Sequence, residues 1–122
     1  DITGFGLMGH LYEMVSSSGA SANIHYEDIL TLDGAEDFAK MGIIPGGAYR
    51  NREHIKDKYY FKDGIEEFKK DILFDPQTSG GLLLSVDKSI APYIMEDLKS
   101  IKTKSSIIGE VVLKNDYSIY VD

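Results

Sequence analysis

Asp1-Ile2-Thr3-Gly4-Phe5-Gly6-Leu7-Met8-Gly9-His10 opens the chain and runs straight into an amphipathic helix. Glycine inside a helix costs about 1 kcal/mol relative to alanine, so a cluster of it requires close packing or unusual backbone angles. Asp1 stands beside the positive end of that helix, where a polyanion and its metal counterions can be held. Leu7, Leu11, Met14 and Val15 recur at helical spacing, which predicts a helix over about 5–17 with one buried stripe. Thr3 is its expected N-cap, and Ser16-Ser17-Ser18-Gly19 its end.

Working outward, Ala22, Ile24 and Tyr26 alternate with Ser21, Asn23 and His25, the pattern of a strand with one buried face. Asp33 followed by Glu36 predicts a capped short helix carrying Phe38 and Ala39 and closed by Gly42. Pro45-Gly46-Gly47-Ala48-Tyr49-Arg50-Asn51-Arg52 reads as an irregular polar loop. Tyr59 to Lys62 is a short strand, and Asp63 caps a helix with Ile65, Phe68 and Ile72 inward. A second unusual string, Asp75-Pro76-Gln77-Thr78-Ser79-Gly80-Gly81, is a turn-rich loop feeding Leu82 to Val86, an expected central strand. Ile90, Ile94, Leu98 and Ile101 mark another amphipathic helix. Ile107–Leu113 and Tyr117–Val121 read as a closing hairpin around Lys114-Asn115-Asp116. The order predicts an α+β domain with helices on a mixed or antiparallel sheet.

The chain has 122 residues, enough for one domain with a real core, and 43% hydrophobic with 27% charged residues describes a globular composition. A net charge of −7 argues against nucleic acid or an anionic membrane as partner. Zero cysteines exclude disulfides, thiolate zinc sites and a cysteine nucleophile within these residues. No run approaches the roughly 18 apolar residues of a membrane span, and no signal-peptide pattern is present. A start at Asp1 rather than Met is expected of a processed or excised piece of a longer protein.

Two strings carry a family resemblance. Asp1 to His10 resembles the motif that opens the C-terminal domain of selenophosphate synthetase (selenide, water dikinase), and Asp75 to Leu83 resembles that family's second C-terminal signature. Pro45-Gly46-Gly47 with Asn51 is similar to the loop between them, and Ile108-Gly109-Glu110-Val111 to a late strand. The wider superfamily includes aminoimidazole ribonucleotide synthetase, thiamine-phosphate kinase and a hydrogenase maturation protein. The Gln77-Thr78-Ser79-Gly80-Gly81 string points to the selenium branch rather than to those relatives.

The resemblance implies a three-layer α/β/α domain with a mixed, largely antiparallel sheet and partial ferredoxin-like topology. It implies that residues 1–122 are the C-terminal domain of a two-domain, homodimeric enzyme; the acidic composition and the lack of an export signal point to the cytoplasm. That enzyme converts ATP, selenide and water to selenophosphate, AMP and phosphate. Its N-terminal domain would supply the reactive Cys or selenocysteine, a catalytic Lys, further Asp ligands and most nucleotide contacts, so no catalytic residue is expected here. Two alternatives stand beside it: a sister ATP-dependent enzyme, and a free-standing binding domain that kept the fold.

By the same resemblance Asp1 is the aspartate that joins carboxylates of the other domain in holding Mg²⁺ on ATP. Alone, it would bind the ion weakly. Thr3, Gly4 and Gly6 either present backbone N–H groups to phosphate or serve close packing, and both readings stay open. No Walker A lysine or dinucleotide fingerprint follows them. His10, flanked by Leu7, Leu11 and Met14, reads as a packed or capping histidine rather than a general base. His25 and His54 lie elsewhere, without zinc spacing. Asp75, Gln77, Thr78 and Ser79 either line a cleft between domains or satisfy their own turn. Arg50 and Arg52 meet an anion or, more commonly for such a loop, simply face water.

Overall fold

A computed structural model describes all 122 residues. Helix α1 (Gly6–Ser18) is followed by strand β1 (Ala20–Ile24) and a single 3₁₀ turn at Tyr26–Asp28. Helices α2 (Ala35–Lys40) and α3 (Gly46–His54) lead to β2 (Tyr59–Phe61). Helices α4 (Glu67–Leu73) and α5 (Ala91–Ser100) precede β3 (Gly109–Leu113) and β4 (Ile119–Val121). The four strands form one sheet in the order β2-β4-β1-β3.

Helix α1 ends as its sequence dictates, with Gly19 in the left-handed region at φ 63°. Its buried stripe is Met8, Leu11 and Val15, one position round from the expected one, and Met14 is left at the surface. These side chains meet Ala22 and Ile24 of β1, Ile119 and Val121 of β4, and Ala48, Ile55, Leu73 and Phe74 from the α3–α4 region in one core. The domain is α+β with a mixed sheet, as the sequence predicts. The balance within the sheet differs from the expectation: β4 runs parallel to both β1 and β2, and only β1–β3 is antiparallel.

The expected closing hairpin is absent because β3 and β4 flank β1 on opposite sides. Ser21 explains the crossing. Its buried hydroxyl accepts from the Asn115 N–H (2.9 Å) and donates to the Tyr117 carbonyl (2.7 Å), carrying the connection past the end of β1. The expected central strand Leu82–Val86 joins no ladder, and β4 and β1 hold the two inner positions. Leu82 is 71% and Leu84 56% exposed. Helix α5 forms where its periodicity predicts, yet none of its residues is buried.

Three expected caps are also corrected. Phe5, not Thr3, occupies the N-cap of α1; Gly34 that of α2; and Glu66 that of α4, each without a side-chain cap bond. Tertiary partners compete for the side chains concerned: Thr3 binds His10, and Glu36 accepts from the Tyr26 hydroxyl. Tyr26 leaves the strand for the 3₁₀ turn but stays buried. The polar Pro45–Arg52 stretch is largely helix α3, whose Ala48 and Asn51 face inward.

Phe74→Ala should cost about 3–5 kcal/mol in urea unfolding, because the ring is wholly buried. Leu113→Ala, at a position 93% exposed, should change stability by no more than about 0.5 kcal/mol. At the sheet's end, the hydrogen bond between His25 and Asp122 raises the imidazole above its ordinary pKa and lowers the carboxyl below its own. The histidine's contribution to stability is therefore complete below its ordinary pKa of 6.5 and is lost as pH rises through the raised value. The carboxyl's is complete above 3.8 and lost as pH falls through the lowered value. Titration of His25 by NMR should show a pKa that falls back toward 6.5 in Asp122→Asn.

Candidate functional site

The glycine-rich opening, the Pro45–Arg52 segment and the Asp75–Gly81 loop lie far apart in sequence and meet at one end of α1. Asn51 of α3 joins them. Its amide nitrogen donates to the Gly4 carbonyl at 2.8 Å and to the Phe74 carbonyl at 3.0 Å. One buried side chain thus bonds two chain segments that are far apart in sequence.

The backbones of the first and third segments then run in direct contact. Gln77 N–H donates to the Thr3 carbonyl (3.0 Å), and Ile2 N–H to the Gly81 carbonyl (2.9 Å). Gly6 has φ 68°, and a Cβ there would lie 2.9 Å from both the Asp75 carbonyl oxygen and the Phe74 carbonyl carbon. Only glycine meets both demands. Gly47 makes the matching approach between α3 and the third loop, where a Cβ would sit 2.8 Å from Pro76 Cγ.

Thr3 and His10 share a side-chain chain of bonds. Thr3 Oγ1 lies 3.0 Å from His10 Nε2, and His10 Nδ1 lies 3.0 Å from Glu13 Oε2. A carboxylate only accepts, so Nδ1 is the donor to Glu13, and in the neutral imidazole Nε2 is then the acceptor for the Thr3 hydroxyl. His10 is therefore a bonded orienter of Thr3 as well as a half-buried helix residue. Phe5 lies between two imidazoles, with ring centroids 5.6 Å from His10 and 5.8 Å from His54.

The chemistry-bearing groups that face water are Asp1, Thr3, Gly4, Arg50, Thr78 and Ser79. The N–H groups of Thr3 and Gly4 make no backbone hydrogen bond, whereas that of Gly6 donates to the Thr3 carbonyl at 3.0 Å. Asp75 is half-buried without a donor, and burial pushes its carboxyl above the usual range. Arg52 is consumed by ion pairs with Glu67 and Asp71, and that bond to Arg52 holds the Glu67 carboxyl below its usual value. Arg50 makes no ion pair. No group of three or more His, Cys, Asp or Glu is assembled to hold a metal, so Asp1 brings a single exposed carboxylate. The surface is open. A concavity elsewhere is lined by Met95, Lys99, Lys102 and Lys104, none of them a residue of this surface.

Sequence reading located the three strings but missed that α3 is a helix and that Asn51 is the buried connector. The signal was present: an asparagine three residues after the inward Ala48 lies on the same helix face.

This fold and these loops define a known class. Residues 1–122 match the family of AIR synthase related proteins, C-terminal domain, and the chain belongs to it. Among curated proteins it is 47% identical over 123 residues to the selenide, water dikinase of Caldanaerobacter subterraneus subsp. tengcongensis. It is 46% identical over 121 residues to that of Clostridium botulinum strain Eklund 17B, and 43% over 122 residues to that of Clostridioides difficile strain 630. Each comparison covers 99% of the chain but only 35% of the relative's length. No helix is long and apolar enough to cross a membrane.

Asn51→Ala should destabilise the domain by about 2–4 kcal/mol in urea unfolding, because it leaves two carbonyls without their donor. Asn51→Asp should be no milder, since a carboxylate offers no N–H to either carbonyl.

Proposed function

We propose that the chain is the C-terminal domain of a selenide, water dikinase, an enzyme that makes selenophosphate, AMP and phosphate from ATP, selenide and water. The observation that carries this reading is the convergence of the three motif segments on one open surface. Identity of 43–47% along nearly the whole chain to proteins of that name supports it. The same reading makes the intact protein a cytoplasmic homodimer whose preceding domain carries the nucleophile and most nucleotide contacts.

In this reading the domain closes one side of the ATP cleft and is inactive alone. Asp1 would be one oxygen ligand to Mg²⁺, and the lone exposed carboxylate fits a shared site completed by other carboxylates. Bound there, the ion would neutralise phosphate charge and favour in-line transfer. The free N–H groups of Thr3 and Gly4 are the donors available to a phosphate oxygen. Gly6, whose N–H is already bonded, shapes the turn that aims them. His10, fixed by Glu13, holds the Thr3 hydroxyl in one orientation. Arg50 is left to attract the anion.

Full-length wild type, followed by ³¹P NMR, should consume ATP and selenide to give selenophosphate and AMP. Asp1→Ala should lower turnover by about 100-fold or more with the fold intact, and raised Mg²⁺ should restore part of it. A wild type that hydrolyses ATP without forming selenophosphate would move the assignment to a sister enzyme of the superfamily.

A further inference from the structure

Thr3, His10 and Glu13 form a chain of side-chain hydrogen bonds that begins at the open surface. Helix α1 sets half of it, since residues three apart share a helix face and Glu13 therefore stands beside the His10 ring. The glycine-rich opening sets the other half by bringing the Thr3 hydroxyl to Nε2. The Phe5 ring lies 5.6 Å from the imidazole, and Gly9 leaves it room: a Cβ there would fall 2.6 Å from Phe5 Cβ. Only 17% of the His10 side chain is exposed, whereas Thr3 faces water.

The direction of the bonds decides what Thr3 can bind. Nδ1 donates to Glu13 and Nε2 of the neutral ring accepts, so the Thr3 hydroxyl gives its one proton to His10. Its oxygen then has only lone pairs to offer an incoming group. A phosphate oxygen is itself an acceptor and gains nothing there; the backbone N–H groups of Thr3 and Gly4 suit it instead. Water can donate to that oxygen. Selenide is an anion, and the carboxylates of Asp1, two residues before Thr3, and of Glu13 oppose it. Neutral water meets no such opposition.

The inference rests on the selenide, water dikinase reading, in which one phosphoryl group of ATP passes to water. Within it, the geometry points to Thr3 as the residue that receives the attacking water, with His10 and Glu13 as positioning residues behind it. Water donates to Thr3 Oγ1. As the water oxygen bonds to phosphorus, the phosphorus–oxygen bond to the departing nucleotide breaks, and its electron pair stays on that nucleotide's phosphate. The water proton passes to Thr3 Oγ1 and the Thr3 proton to His10 Nε2, while the Glu13 carboxylate stabilises the imidazolium. Solvent then takes the proton from His10.

The bonds are tested first, on full-length protein labelled with ¹⁵N. Long-range ¹H–¹⁵N spectra should place the proton of neutral His10 on Nδ1. Thr3→Val should shift the His10 Nε2 resonance and leave those of His25 in place. A proton on Nε2 in wild type overturns the proposal, because the Thr3 hydroxyl is then free to donate to phosphate. An Nε2 resonance unmoved by Thr3→Val overturns it as well.

Kinetics of the same protein test the role. Thr3→Val should lower kcat about 100-fold. KM for ATP should not change, since the lost contact acts in the transition state. Thr3→Ser, which keeps the hydroxyl, should recover most of the turnover. His10→Phe should also lower kcat, and combined with Thr3→Val it should be no slower than the slower single variant, as expected of groups that act as one unit. Additive losses overturn the relay. Rescue of Thr3→Val by raised Mg²⁺ does so too, because the hydroxyl would then be a metal ligand. A wild type that forms no selenophosphate removes the enzyme reading and the water step with it, while the spectrum still reports the bonds. An active wild type whose Thr3→Val variant keeps full turnover overturns the relay alone.

Discussion

The two hydrogen bonds of Asn51 are the constraint on which the candidate site depends. One buried amide satisfies the carbonyls of Gly4 and Phe74, and through them it sets the glycine-rich opening against the end of α4. Everything else in the site follows from that approach. Gly6 must lack a side chain because Phe74 and Asp75 come so close, and Thr3 can accept from Gln77 because the loops are already in register. Buried polar groups of this kind are costly unless paired, so loss of the Asn51 amide would leave the Gly4 and Phe74 carbonyls without that donor.

Around that link the domain divides by burial. From α1 to α4, together with β4, apolar side chains converge on Met8, Phe74 and Ile119, each wholly buried. From Leu82 to Ile107 only Leu83 packs against that core, and Leu82, Tyr93 and Ile101 stay exposed. Propensity formed α5, but propensity without a packing partner leaves a helix marginal in water. The exposed region adjoins the site through Gly80 and Gly81, whose backbones meet Ile2.

Electrostatics follow the same division. The charged pairs Arg52–Glu67 and Lys69–Glu27 tie helices and turns together on the packed side. On the open surface Asp1 and Arg50 have no partners within the chain, and Asp75 is half-buried without a donor. These charges lie beside the free backbone N–H groups of Thr3 and Gly4.

Local signals were legible where a single element carries its own instruction. Helical spacing located α1 and α5, Gly19 marked the end of α1, and the odd composition of Asp1–His10 and Asp75–Gly81 singled out the loops that meet. Signals that depend on who occupies a neighbouring position were not. Thr3 looked like a cap until His10 offered it a better bond, and the two last strands looked like a hairpin until Ser21 carried their connection across β1. The sequence by itself determined the α+β class, the family likeness and the residues able to do chemistry, because those rest on periodicity and residue type. Only the tertiary structure decided the strand order, the burial of Asn51 and the meeting of the three motifs, because hydrogen bonds between distant segments are chosen by the whole packed chain.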